Sequence, residues 1–200
     1  CKAVHDLYPG SEVVIDIPVS NGYYINLKVG HEVSEEDAVR VRERMQQIID
    51  AKIPIVRYQV PTEEAIKMFE SKGDEAKVKL LRSIGSLYTV YHQIDDYVDY
   101  YYGSLLPNTG DIYLFGLEKY YEGLLLRIPS KENPAKLGEL IRQDKMFEVF
   151  LEQHRRQHIL GVSTVGDFNE AVQQGHATDM INISEALQEK KISQIADRIA

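Results

Sequence analysis

Three carboxylates, Asp95, Asp96 and Asp99, fall close together in Asp95-Asp96-Tyr97-Val98-Asp99 and could serve acid–base chemistry or hold a hard cation. On a strand, alternation puts Tyr97 and Asp99 on one face and Asp96 and Val98 on the other, so the three acids do not converge. Asp95-Asp96 reads as a turn, a role aspartate favours, which leaves Asp99 as the site candidate. His154 and His158 are spaced to share one face of a helix, a spacing that can bind a metal. Arg155 and Arg156 lie between them and would repel a cation, no acidic third ligand is near, and His176 could join only by folding back; a solvated helix face is the simpler reading. Tyr100-Tyr101-Tyr102 and Tyr120-Tyr121 could stack nucleobases, but the basic side chains that accompany base stacking are sparse, which favours tyrosines covering a sheet.

Several chemistries lack their signatures. The chain has no Gly-x-x-x-x-Gly-Lys-Ser/Thr, no Gly-x-Gly-x-x-Gly, no Gly-x-Ser-x-Gly and no His-Glu-x-x-His. Acids outnumber bases on both sides of residue 130, and the net charge of -8 disfavours general nucleic-acid binding. The lone Cys1 excludes an internal disulfide and a cysteine-rich zinc site, and fits a reducing compartment. The apolar runs are too short to span a bilayer. A start at Cys1 that moves directly into a helical pattern reads as a piece of a longer, cytoplasmic protein.

The elements that must carry these residues form an α+β pattern with a largely antiparallel sheet. Val13 to Ile17 and Tyr23 to Leu27 read as strands joined by Ser20-Asn21-Gly22, a hairpin signal. Ser34 caps a helix whose first turn is acidic and whose apolar face carries Val39, Val41, Met45, Ile48 and Ile49. Ile53 to Val60 reads as a strand. A helix follows from Thr62 to about Lys72, with another helical turn at Ala76 to Leu81. Tyr88 to Ile94, Tyr97 to Tyr102 and Gly123 to Ile128 read as strands. After the polar Ser130-Lys131-Glu132-Asn133-Pro134 the texture is helical, over 135–160 with a break near Asp144, then from Gly166, then from Asp179 to Ala200.

In order and spacing, Val14-Ile15-Asp16, Ser20-Asn21-Gly22-Tyr23-Tyr24, Ser34-Glu35-Glu36-Asp37, Ile53-Pro54-Ile55, Gly73-Asp74-Glu75-Ala76-Lys77-Val78 and Tyr97-Val98-Asp99…Gly103…Pro107-Asn108-Thr109 resemble the second additional domain of threonyl-tRNA synthetase. The resemblance covers about residues 1–128 and implies that domain's fold: an antiparallel sheet with packed helices, followed here by an all-helical region over 129–200. In the family this domain hydrolyses serine wrongly attached to threonine tRNA, in a pocket of one His-x-x-x-His and one Cys-x-x-x-His pair that can hold zinc. By the resemblance, Tyr101 occupies the cysteine position and Leu105 the last histidine position, while the first histidine pair would lie upstream of Cys1. A phenol is a far poorer soft ligand than a thiolate, and leucine is none. Lys77 and Asp99 match polar positions of the pocket. The resemblance therefore implies a residual pocket of Lys77, Asp99, Tyr101 and Leu105, with no catalytic residue and no metal.

Phe115-Gly116-Leu117, Tyr120 to Arg127, Gly161 to Glu170 and Glu185 to Ile192 resemble bacterial fusion proteins of the uridine kinase-like or nucleoside kinase type. There a ubiquitin-like domain and an editing-like domain precede a P-loop kinase domain. This implies a non-catalytic regulatory or structural region, touching the flanking kinase and ubiquitin-like domains, with ATP and magnesium used only by the kinase. The pocket would take a small molecule or a tRNA end. The alternatives are an editing hydrolase or tRNA-binding module, and self-association through the 130–200 helices.

Overall fold

The computed structural model describes residues 1–199, apart from the side chains of Asp16 and His158. The chain divides into two compact units: Cys1–Tyr58 with Val90–Glu148, and Gln59–Thr89 with the chain from Val149 on.

The first unit opens with α1 (Lys2–Leu7), followed by the strands β1 (Glu12–Val19) and β2 (Gly22–Lys28) and the helix α2 (Glu35–Asp50). Ser20 and Asn21 both take positive φ, 52° and 56°, as a two-residue hairpin turn requires, and this joins β1 to β2 as the sequence leads one to expect. Two further strands, labelled by chain order β6 (Gly116–Tyr120) and β7 (Gly123–Arg127), complete an antiparallel sheet in the order β1-β2-β7-β6. One face packs on the helices through Ile25, Leu27, Leu117 and Leu124 against Val4, Ala38, Val41 and Ile48. Leu124 and Leu125 are consecutive yet both fully buried, because β7 is covered on both faces. On the face carrying Tyr24, the ring of Phe147 sits 4.7 Å from Tyr24, 5.3 Å from Tyr120 and 4.4 Å from Tyr121.

The helix expected over 135–143 is absent, and a helix begins only at Asp144 (α5, Asp144–Ile159). The intervening segment is bonded to residues at and beyond the end of β7 and to the β1-β2 turn. Gly138 N–H donates to the Ile128 carbonyl, Arg127 Nη2 to the Gly138 carbonyl, and Ile141 N–H to Ser20 Oγ. These partners satisfy backbone groups that a helix would have satisfied internally.

The acidic first turn of α2 is built around Asp37. Ser34 N–H and Oγ–H donate to its Oδ2 at 2.9 and 2.8 Å, the Tyr8 hydroxyl donates to its Oδ1 at 2.5 Å, and His31 Nε2 lies 3.0 Å from Oδ2. Burial raises the carboxyl's pKa, but the hydrogen bonds from Tyr8, Ser34 and His31 outweigh it and hold it well below the ordinary range. A depressed folded-state pKa adds stability that is complete above the unfolded value of about 3.9 and is lost as pH falls through the folded value. Asp37→Asn is expected to cost about 1–3 kcal/mol at neutral pH and to flatten the loss of stability below about pH 4; urea midpoints across pH measure both.

The strand β3 (Ile55–Pro61) leads out of the first unit, and the three-stranded sheet runs β3-β4-β5, with β4 (Tyr88–Ile94) and β5 (Tyr97–Tyr100) forming a hairpin. In the second unit, α3 (Thr62–Ser71) buries Ala65, Ile66 and Phe69. The expected extra turn is a ten-residue helix, α4 (Glu75–Ile84), capped by Asp74 and ended by Gly85 in the left-handed region. A capping box of Thr164 and Asp167 starts α6 (Val165–Gln173), which docks on α4 through Lys79–Asp167 at 3.0 Å and Asn169–Ser83 at 3.0 Å. The last helix, α7 (Ala177–Ile199), buries no residue and is tied to α5 by Lys191–Glu152 and Arg156–Gln188. The α+β architecture with antiparallel sheets and packed helices agrees with the sequence reading.

Candidate functional site

The β4-β5 hairpin carries the candidate residues of the first unit. It turns at Asp95, whose φ is 57°, and Asp96, as the turn-forming pair implies. Lys2 Nζ reaches Asp96 Oδ1 at 2.5 Å and Asp6 Oδ1 at 2.7 Å, so the turn is anchored to α1. Asp96 is consequently a charge partner, its carboxyl held below its ordinary pKa chiefly by the Lys2 hydrogen bond.

Alternation beyond the turn places Tyr97 and Asp99 on one face, and the Tyr97 hydroxyl donates to Asp99 Oδ2 at 2.7 Å. His5 of α1 covers the Tyr97 ring at 5.3 Å between centroids. Directly across the ladder from Asp99 stands His92, only 5% exposed. Opposed residues of an antiparallel pair project to the same face, so His92 and Asp99 share a surface. The ring of Tyr101 lies 6.4 Å from that of His92 and 5.7 Å from Tyr102, onto which it stacks. Gly103 permits this: a Cβ there would stand 2.6 Å from the Tyr101 ring. Leu105 follows four residues on, 42% exposed, with Tyr101 itself 45% exposed.

Lys77, the fourth candidate, belongs to the second unit. It sits in the first turn of α4 with Nζ 2.5 Å from Asp74 Oδ2 and 5.6 Å from the centroid of Phe69. The structure thus gathers Asp99 and Tyr101 around His92 within one unit and gives Lys77 an acidic partner in the other. His154 lies on α5; the side chain of His158 falls outside the described residues, so their pairing is not described.

Sequence reasoning missed His92 and His5. A lone histidine in Tyr88-Thr89-Val90-Tyr91-His92 carries no motif, and its burial follows from the register with β5, which the sequence does not state. The anchoring of Lys2 on Asp96 was likewise invisible.

The residues at the two positions do not suit the zinc pocket that the resembled family can form. Tyr101 offers a phenol and Leu105 no donor, and among the described residues no three His, Cys, Asp or Glu side chains gather where they could hold a metal ion. What the face offers is an imidazole, a carboxylate and phenols: groups that hydrogen-bond and orient a small polar ligand. Among the described residues no helix is long and apolar enough to cross a membrane.

No family model matches the chain. Among curated proteins it is similar to the threonine–tRNA ligase of Marinobacter nauticus, 32% identical over 118 residues, covering 58% of this chain and 18% of that protein. It is also similar to the threonine–tRNA ligase of Rubrobacter xylanophilus, 29% identical over 164 residues, with 78% and 25% covered. The corresponding ligase of Acidithiobacillus ferrooxidans is 29% identical over 161 residues, with 76% and 24% covered. The chain spans about a fifth to a quarter of the length of these relatives. The comparisons support a threonyl-tRNA synthetase-related domain over that span.

Proposed function

We propose that this chain is an editing-like domain that has kept a ligand-binding face and lost the hydrolytic one, and that it serves as a regulatory or structural region ahead of an ATP-dependent nucleoside kinase, with uridine as the expected substrate. The single observation that carries the reading is the surrounding of Asp99. Its carboxylate is positioned by the Tyr97 hydroxyl and stands across from buried His92, while Tyr101 and Leu105, at the positions the resemblance gives to a cysteine and a histidine, supply no thiolate or imidazole to activate water. Similarity to threonine–tRNA ligases supports the editing-like origin. The kinase context rests on the resemblance of Phe115 to Arg127 and of Gly161 to Ile192.

In this reading the hairpin face holds and orients a small hydroxyl-bearing ligand or the aminoacylated end of an RNA. Hydrolysis at such a site needs a group that lowers the pKa of water or a base set against the ester carbonyl. Incubation with seryl-tRNA is expected to show deacylation no faster than the uncatalysed background, followed by acid-precipitable label over time. Calorimetric titration with nucleosides, serine and tRNA is expected to give saturable heat for at least one of them. Rapid turnover of seryl-tRNA would replace this reading with an editing hydrolase, and uniformly flat titrations would remove the ligand-binding face.

A further inference from the structure

We propose that His92 is a specificity residue of the β4-β5 face, and that its buried Nδ1 exchanges a hydrogen bond with a hydroxyl group of the ligand. The inference rests on the ligand-binding reading of this face given above.

Buried polar atoms in folded proteins are nearly always hydrogen-bonded, and one that is not calls for an explanation. His92 Nδ1 is fully buried and has no hydrogen-bond partner among the described residues. The neighbours that could have served it are otherwise disposed. Asp99 stands opposite on the ladder and accepts from Tyr97, and the Tyr101 ring lies tilted by 60° with its centroid 6.4 Å from that of His92. The atom therefore lies on the face that carries Asp99, with its hydrogen-bonding capacity uncommitted.

The chemistry of the surroundings narrows the ligand. A neutral imidazole nitrogen is a donor in one tautomer and an acceptor in the other. A hydroxyl group, which both donates and accepts, complements either. The adjacent Asp99 carboxylate accepts from a hydroxyl or ammonium and repels a carboxylate or phosphate. The ligand part at His92 is thus a hydroxyl on an uncharged or cationic group, and a site built to bond a hydroxyl discriminates strongly against the analogue lacking it.

Two amide-linked probes separate the outcomes: 3′-seryl-amino-3′-deoxyadenosine and its alanyl counterpart, which differ by one hydroxyl. The whole chain is expected to bind the seryl probe about tenfold or more tightly than the alanyl one by calorimetry. His92→Phe is expected to erase that preference while its melting temperature holds or rises, because the variant removes an unsatisfied buried polar atom. If His92→Phe fails to fold, 15N spectra of the unsubstituted protein decide, since the Nδ1 resonance should move with the seryl probe and stay with the alanyl one. Retention of the preference in His92→Phe, or an Nδ1 resonance indifferent to both probes, overturns the role of His92 and leaves the ligand-binding face standing. Equal affinity of the unsubstituted protein for the two probes does the same. Binding of neither probe overturns this inference together with the reading beneath it.

Discussion

Replacing Phe147 by alanine lowers the folding free energy by about 3–5 kcal/mol. The ring is fully buried and is the common neighbour of three aromatic residues, Tyr24, Tyr120 and Tyr121, stacked on the last and edge-on to the other two. Its removal leaves a cavity that Tyr24 and Tyr120 cannot close without leaving the sheet, since Tyr24 is fixed by its register with Leu125 and Tyr120 by its register with Gly123. Gly123 itself admits no side chain as a remedy, because a Cβ there would stand 2.3 Å from the Ile25 carbonyl oxygen. Phe147 also fixes the start of α5, where the Tyr121 hydroxyl bonds Asp144. Urea denaturation checks the figure as a fall in midpoint, with Phe147→Leu expected to lose less because it refills part of the volume.

Phe69→Ala is expected to remove about 3–5 kcal/mol from the second unit. Phe69 is buried between α3 and α4, and its backbone carbonyl accepts from both Lys72 and Asp74, so the ring and the turn that launches α4 are one piece. Lys77 Nζ lies over the ring while bonding Asp74, an arrangement in which cation and aromatic face each hold the other's position. Lys77→Met, which keeps the stem and removes the charge, is expected to cost only about 0.5–1 kcal/mol, the size of a partly exposed cation–π contact. A loss for Lys77→Met as large as that for Phe69→Ala would mean that charge, not ring burial, holds this turn; thermal and urea melts of the two variants read the difference.

How much of this was legible in advance depends on whether the signal was local. The β1-β2 hairpin was, because Ser20-Asn21-Gly22 specifies its own turn, and so was α2, because Ser34 and Asp37 satisfy each other within one helical turn. Strand β7 was legible as an unbroken apolar run. Its partner β6 was not, since Glu118 and Lys119 interrupt Gly116-Leu117-Glu118-Lys119-Tyr120 and only pairing with β7 identifies it. Helix α4 was underestimated because Lys77, Lys79 and Arg82 dilute a face of which only Val78 and Leu81 are buried. The segment over 135–143 has helical propensity, but its backbone is bonded instead by the Ile128 carbonyl and by the side chains of Arg127 and Ser20.

The candidate site divides in the same way. That Tyr97 and Asp99 share a face follows from alternation alone, and the structure adds their hydrogen bond. The neighbourhood of Asp99 depends on which residue of β4 lies across from it, and on α1 arriving with His5 and Lys2; both are matters of long-range register. Tyr101 was visible only as a residue out of place by comparison with a family, and its contact with His92 came from the fold.

Strand β7 has a consequence for how this sequence can drift over generations. Tyr23, Asn26 and Lys28 of β2 point outward and are open to exchange, whereas Leu124 and Leu125 face apolar neighbours on opposite sides. Neither of these two leucines has a wet side, so there is no silent place at either for a polar replacement. Diversity among descendants of this chain should therefore accumulate at the outward positions of its neighbours while Leu124 and Leu125 stay aliphatic, making this pair the fixed text against which the rest can be rewritten.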